Sequence, residues 1–191
     1  ALKPIAAPGA RLRLSSSLCG GNMALDIAAI ESELLNYFNN LGDTAKLEGW
    51  TKDSHWTIGI NMFLASLGHK NGCTVHASRC PEADGPEWLY DHHWRLSEGD
   101  CEFVRIPLIM EIEWGFGNAS LFEKVLDDFL KLVQARTDLR VMVFQGNGID
   151  KTTDDLISKA KRFSLNQKGD LYLFAGWGWD TEKMHCRVWT T

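Results

Sequence analysis

The chain has 191 residues, enough for one full-sized domain that buries about 70% of the surface its unfolded form exposes, and too few for two comfortable ones. Apolar residues make up 45% and charged residues 24%, with eight Trp and nine Phe. This excludes a disordered or collagen-like chain, and the lack of any apolar run of about 18 residues excludes a membrane-spanning helix. The net charge of −5 argues against binding polyanions by bulk charge, yet permits an enzyme on nucleic acid that works through bound cations and a local basic patch.

Residues 1–25 read as a flexible leader: Lys3, Arg11 and Arg13, a Ser15-Ser16-Ser17 run and no acid before Asp26, with Met23 a candidate start. A transit peptide shares that composition, but no long apolar stretch follows the basic residues to make a secretory signal. The rest, 26–191, reads as a single α/β domain. Apolar periodicity predicts a helix over 26–41 through Ile27, Ile30, Leu34, Phe38 and Leu41. Asp53 and Ser54 are candidate caps for a second helix, 53–67, with Gly68 as its stop. Three strands are expected at Cys73–Ser78, Glu87–Leu96 and Ile106–Trp114, the last two separated by a polar turn at Ser97–Asp100. A strongly amphipathic helix follows at 119–136, then a strand at Leu139–Gln145, a helix at 152–164, and strands at Leu171–Trp177 and Met184–Thr190. The order suggests a mixed sheet with helices on both faces.

The cysteines, Cys19, Cys73, Cys80, Cys101 and Cys186, are odd in number and scattered, with no C-x-x-C pair. That argues against both a secreted disulfide framework and a zinc ribbon, and for reduced thiols in the cytoplasm.

The chemistry-bearing residues concentrate on two of the expected strands. Alternation puts Glu87, Leu89, Asp91 and His93 on one face, and Ile109, Glu111 and Glu113 on one face of the next strand. Glu111 follows Ile106-Pro107-Leu108-Ile109-Met110, an apolar run in which a carboxylate needs a compensating partner. An Asp and a Glu delivered by adjacent strands make a nest for a hard divalent cation, Mg2+ or Mn2+, with the Ile112 carbonyl completing the shell. Such an ion polarises a phosphoryl oxygen and acidifies a bound water, and Glu113 is placed to orient or deprotonate that water. The alternative is that Asp91 sits at a strand end and the two Glu pair with nearby basic residues, all three being structural.

Leu89-Tyr90-Asp91-His92-His93, Ile106–Trp114 with its Glu111-Ile112-Glu113, and the helix and strand that follow are similar to the PD-(D/E)XK nuclease superfamily, the restriction endonuclease-like fold; Glu113-Trp114-Gly115 and Asp128–Leu132 resemble its uncharacterised bacterial members. The resemblance spans 26–175 by element order and implies an αβββαβ core, a mixed central sheet flanked by helices, and metal-dependent hydrolysis of nucleic-acid phosphodiesters, DNA ahead of RNA. It assigns Asp91 and Glu111 to the metal and Glu113 to the position usually held by Lys. It also suggests Glu31, on the apolar stripe of the first helix, as an outer ligand acting through water. A Glu at the Lys position removes the cation that stabilises phosphorane charge, leaving a second metal to supply it. The helical wheel reads Lys124 and Lys131 as solvated. Members that cut both strands often dimerise, so a homodimer fits, whereas no membrane partner is expected. A catalytically degenerate member, kept as a nucleic-acid- or protein-binding module, is the alternative.

Other signals are weaker. His92 and His93 face opposite sides of a strand, and no H-x-x-x-H or H-E-x-x-H spacing occurs. Lys159, Lys161 and Arg162 form a candidate phosphate-contacting cluster, although cations also suit a helix C-terminus. Gly176-Trp177-Gly178-Trp179 reads as a close-packed turn whose aromatics are alternatively base-stacking groups.

Overall fold

The computed structural model describes residues 24–98, 101–115 and 121–191. The leader assigned to residues 1–25 therefore lies outside the described residues up to position 23, while Leu25 packs against the core. The first helix, α1 (Ile27–Leu47), starts where the Asp26 carboxylate accepts a hydrogen bond from the Ala29 N–H at 3.0 Å, satisfying a donor the first turn would leave unpaired. It outruns the expected end at residue 41 because the next turn still finds packing: Ala45 is buried, and the Trp177 ring lies against Gly42.

The second helix, α2 (Asp53–Lys70), is preceded by Lys52, which makes no side-chain cap, so Asp53 and Ser54 do not cap as expected. Nor does Gly68 end it. A Cβ at position 68 would stand 2.7 Å from a Val75 methyl and 2.8 Å from the Trp94 indole nitrogen, so this glycine serves close approach of helix to sheet rather than termination.

Seven strands are described: β1 (Thr74–Ala77), β2 (His92–Glu98), β3 (Cys101–Arg105), β4 (Leu108–Glu113), β5 (Leu139–Gly146), β6 (Leu171–Gly178) and β7 (Lys183–Thr190). Helices α3 (Leu121–Gln134) and α4 (Ile149–Lys161) connect β4 to β5 and β5 to β6. Sheet order is β1-β2-β4-β5-β6-β7, with β3 paired to β2 off that path. The β4–β5 and β5–β6 pairs are parallel and the others antiparallel, so the protein is mixed α/β.

Two strand expectations are corrected. The strand expected over 87–96 begins only at His92, because β1 pairs with residues 92–95 and offers no ladder partner to 87–91. Alternation therefore does not place Glu87 and Leu89 on a sheet face. The expected Ser97–Asp100 turn is partly strand, since β2 runs to Glu98 and pairs with β3, a strand the sequence pattern did not reveal. Pro107, lacking an N–H, separates β3 from β4.

The core forms two layers. Leu108, Met110 and Ile112 of β4, with Val141, Val143, Leu173 and Ala175, pack against α1 and α2. Ile109, Met142, Phe144, Tyr172 and Phe174 pack on the other face against Val125, Phe129, Leu132 and Val133 of α3 and Leu156, Ile157 and Ala160 of α4. Each fully buried side chain of this size contributes about 1.5–3 kcal/mol. Cys73, Cys80 and Cys186 are free thiols. Among the described residues no helix is long and apolar enough to cross a membrane.

Candidate active site

β4 lies between β2 and β5 and is buried along its length except at Glu113. Such a strand is apolar on both faces, which makes Glu111 conspicuous: it is 2% exposed and shares the α3-side face with Ile109. The β2–β4 ladder aligns His92 with Met110 and His93 with Ile109, so Asp91, the next residue out, comes opposite Glu111. The ladder stops there. In place of a further strand pair, Asp91 Oδ2 accepts from the Ile112 N–H at 2.9 Å, filling the donor that the edge of β4 would otherwise leave open.

Burial and nearby carboxylates make both acids costly to ionise. Burial first, and then the neighbouring Asp91 carboxylate, push the Glu111 pKa up to about 8. Asp91 is raised as well, by burial and by Glu87 and Asp128, against the Ile112 N–H and Lys131, which favour its charged form. Burial likewise raises Glu113, whose side chain is turned toward Asp128. Around Asp91 and Glu111 is a cavity of about 120 Å3 lined by Glu87, Trp88, Leu89, Tyr90 and Lys131.

Two residues on α3 belong to this site that the sequence reading did not assign to it. Lys131 is not merely solvated: its Nζ lies 2.7 Å from Asp128 Oδ1 and 3.4 Å from Glu111 Oε1, with its side chain 49% exposed. Burial works against the ammonium, but Asp128 and Glu111 together outweigh it and hold the Lys131 pKa above the usual lysine value. Lys124 and Lys131 are both exposed, as the helical wheel has them; Asp128 is on the flank of the apolar face, and the long side chain of Lys131 reaches past it to the acids of β4. The spacing was available in the sequence; the neighbour it meets was not.

The donor set suits a hard divalent cation. Glu111 Oε1 is buried without a hydrogen-bond partner, since Lys131 at 3.4 Å provides ion-pair attraction without hydrogen-bond geometry. A buried acceptor in that state is left for a water or a cation to satisfy. Among the described residues no three His, Cys, Asp or Glu side chains converge as a ready-made ligand shell, so an ion held by Asp91 and Glu111 would keep several waters, as Mg2+ does.

Of the remaining sequence candidates, Ile112 adjoins the acids through its backbone, whereas Glu31 and the cations of α4 lie elsewhere. Glu31 is on α1, whose buried residues pack on the opposite face of the sheet from Glu111, and the groups acting on Asp91 are Glu87, Asp128 and Lys131. The structure thus does not bring Glu31 to the acids: α1 faces the wrong layer. Ile112 presents its N–H to Asp91, and its side chain points into the α1–α2 layer. Lys159, Lys161 and Arg162 sit at the exposed end of α4, beyond α3, and none lines the acid cavity.

His92 and His93 are both fully buried. Asn61 and the Trp94 indole bond the two ring nitrogens of His92, and burial pushes its pKa to about 3. His93 accepts from Arg95 and stacks on His76, and burial, then Arg95, hold it at about 4. Neither is an imidazolium near neutral pH. Trp177 packs against Trp56 with ring centroids 4.9 Å apart, while Trp179 donates to Gln145, so this pair is largely occupied within the fold.

Two larger cavities, about 310 Å3 around Arg105, Arg136 and Arg140 and about 530 Å3 between α1 and α2, contain neither Asp91 nor Glu111. Compared with family models, curated proteins and solved structures, the chain matches none of them.

Proposed function

We propose that this protein is a metal-dependent nuclease with a restriction endonuclease-like core, hydrolysing nucleic-acid phosphodiesters at the pocket of Asp91, Glu111 and Lys131. The observation that carries the reading is a buried carboxyl group, Glu111, with an oxygen that accepts no hydrogen bond, set opposite Asp91 and within ion-pair reach of the Lys131 ammonium. Support for the core comes from the run α2-β1-β2-β4-α3-β5: three antiparallel-paired strands, then a crossover helix, then a parallel strand beside β4. With the β3 hairpin arm set aside, this order supports an αβββαβ core.

Asp91 and Glu111 would hold Mg2+ or Mn2+ through hard oxygen donors. The ion, when bound, supplies a polarised phosphoryl oxygen and a water acidified toward neutral pH. Lys131 carries the positive charge that Glu113 does not, and Asp128 at 2.7 Å steers that ammonium toward the cavity, where it offsets charge building on the phosphate oxygens. Glu113, with its pKa raised by burial, is suited to take the proton of the attacking water. Asp91 does double duty, since its bond to the Ile112 N–H also fixes β4 against the chain that enters β2.

Calorimetric titration of Mn2+ into wild type and the Asp91→Ala/Glu111→Ala double variant, with plasmid and oligonucleotide cleavage in parallel, tests this. Binding and cleavage both lost in the double variant are the expected result, whereas wild type that binds no metal and cuts nothing refutes it. The absence, among the described residues, of a three-residue ligand cluster favours a second reading, a binding module that retains the fold without catalysis. That reading predicts oligonucleotide or protein binding indifferent to Mn2+ and to both substitutions.

A further inference from the structure

The wall of the acid cavity is made by consecutive residues, Glu87, Trp88, Leu89, Tyr90 and Asp91, which run outside any strand and lead directly into β2. In that wall Trp88 is 62% exposed and Leu89 56% exposed. Large apolar side chains side by side in water are unusual unless something covers them. The other aromatics nearby are already engaged: Tyr90 meets His93 edge-on with centroids 6.4 Å apart, and Trp114 packs against Trp56 while its indole donates to Thr57. Trp88 alone among these presents a largely open ring. The Arg95 guanidinium lies 5.5 Å from its centroid, a cation–π contact that steadies the ring from one side.

The cavity itself measures about 120 Å3, well below the roughly 300 Å3 at which pockets begin to enclose whole small molecules. A cavity of that size has room for a phosphate group but not for the attached base. We infer that Trp88 stacks on the nucleobase flanking the phosphodiester held at Asp91 and Glu111, and that the substrate is therefore single-stranded, or locally unpaired, at that nucleotide. This inference rests on the nuclease reading of the same pocket. In a duplex each base face is covered by its stacked neighbours, so an indole beside the backbone reaches only edges and sugars. An unpaired nucleotide offers its full face, and the contact is indifferent to which base it is. Leu89 extends the apolar surface and keeps water from the stacked ring.

Trp88→Ala and Trp88→Phe are compared with wild type by fluorescence anisotropy of a short labelled single strand and its duplex in Ca2+, and by steady-state cleavage in Mg2+ or Mn2+. Because Trp88 is so exposed, unchanged thermal unfolding of the variants serves as the folding control. Wild type is expected to prefer the single strand. Trp88→Ala should weaken single-strand binding by about 5- to 100-fold and raise KM with kcat nearly constant, while Trp88→Phe recovers most of the loss. An abasic site at the flanking nucleotide should erase the difference between wild type and Trp88→Ala. Equal binding of single strand and duplex, no effect of Trp88→Ala, or no rescue by Phe overturns the inference. If wild type cuts no substrate, the nuclease reading falls by itself; the anisotropy arm then still decides whether Trp88 stacks on bases, and no single-strand binding by wild type overturns that as well.

Discussion

Replacing Glu111 with Gln keeps the shape of the side chain and removes its ability to ionise, which isolates one electrostatic quantity. In the native protein Glu111 titrates at about 8, against an ordinary 4.5. The unfolded chain therefore releases a proton that the native state keeps throughout that interval. A raised carboxyl pKa contributes stability that is complete below the ordinary value and is lost as pH rises through the folded one. At about 1.36 kcal/mol per pH unit the full effect is on the order of 5 kcal/mol, a large share of the roughly 5–15 kcal/mol that holds a domain folded. His92 and His93, held at about 3 and about 4 from an ordinary 6.5, act in the opposite sense: their folded pKa values are lowered, so stability is lost as pH falls below about 6.5. The two slopes meet, and wild type should be most stable near pH 6.5 in the presence of chelator. Glu111→Gln should flatten the alkaline limb and steepen the acid one, since Glu111 opposes the histidines from about pH 4.5 upward. Urea unfolding at pH 5.5 and 8.5 measures it: the advantage of Gln over wild type should grow by about 3 kcal/mol across that range. Added Mn2+ should restore wild type at pH 8.5 while leaving the Gln variant unmoved. Parallel stability curves for the two proteins would refute the placement of Glu111 as a buried, proton-holding acid.

Lys131→Ala should lower kcat by about 10²- to 10³-fold if the ammonium offsets phosphate charge, with little change in melting temperature because the side chain is half exposed; single-turnover cleavage reads it. Asn61→Ala removes the partner of the His92 Nδ1 group and leaves that buried polar atom unpaired, at a cost of about 1–3 kcal/mol in urea unfolding. Phe129→Ala opens a void between α3 and the sheet beside Tyr172 and Phe174 and should cost about 3–5 kcal/mol. For a metal site with a raised carboxyl pKa, Mn2+ affinity should rise with pH up to about 8, where Glu111 no longer has to surrender a proton, and calorimetry at pH 6 and 8 checks the sign.

Local pattern was enough for much of this molecule. Helix α3 and strands β4 and β5 announce themselves through periodicity and unbroken apolar runs, because burying those stripes is the main driving force for the elements themselves. The same reasoning singled out Glu111, since a carboxylate inside Ile106–Glu113 has no cheap place to go. Sequence also gave grounds to pair it with Asp91. What it did not contain was which side chains meet across space. Alternation carried the β2 strand back to Glu87, whereas pairing with β1 begins at His92, because a strand exists only where a partner supplies hydrogen bonds. Glu31 has a core-facing position on α1, yet α1 covers the sheet face opposite Glu111, and nothing in a helical period specifies which face a helix will take. Lys131 presents the converse case, an exposed helix residue whose long side chain reaches the buried acids where α3 passes over β4. Identity and spacing determine which residues must be buried or capped, because those costs are local; which charges become neighbours is decided only when strands and helices from distant parts of the chain are packed together.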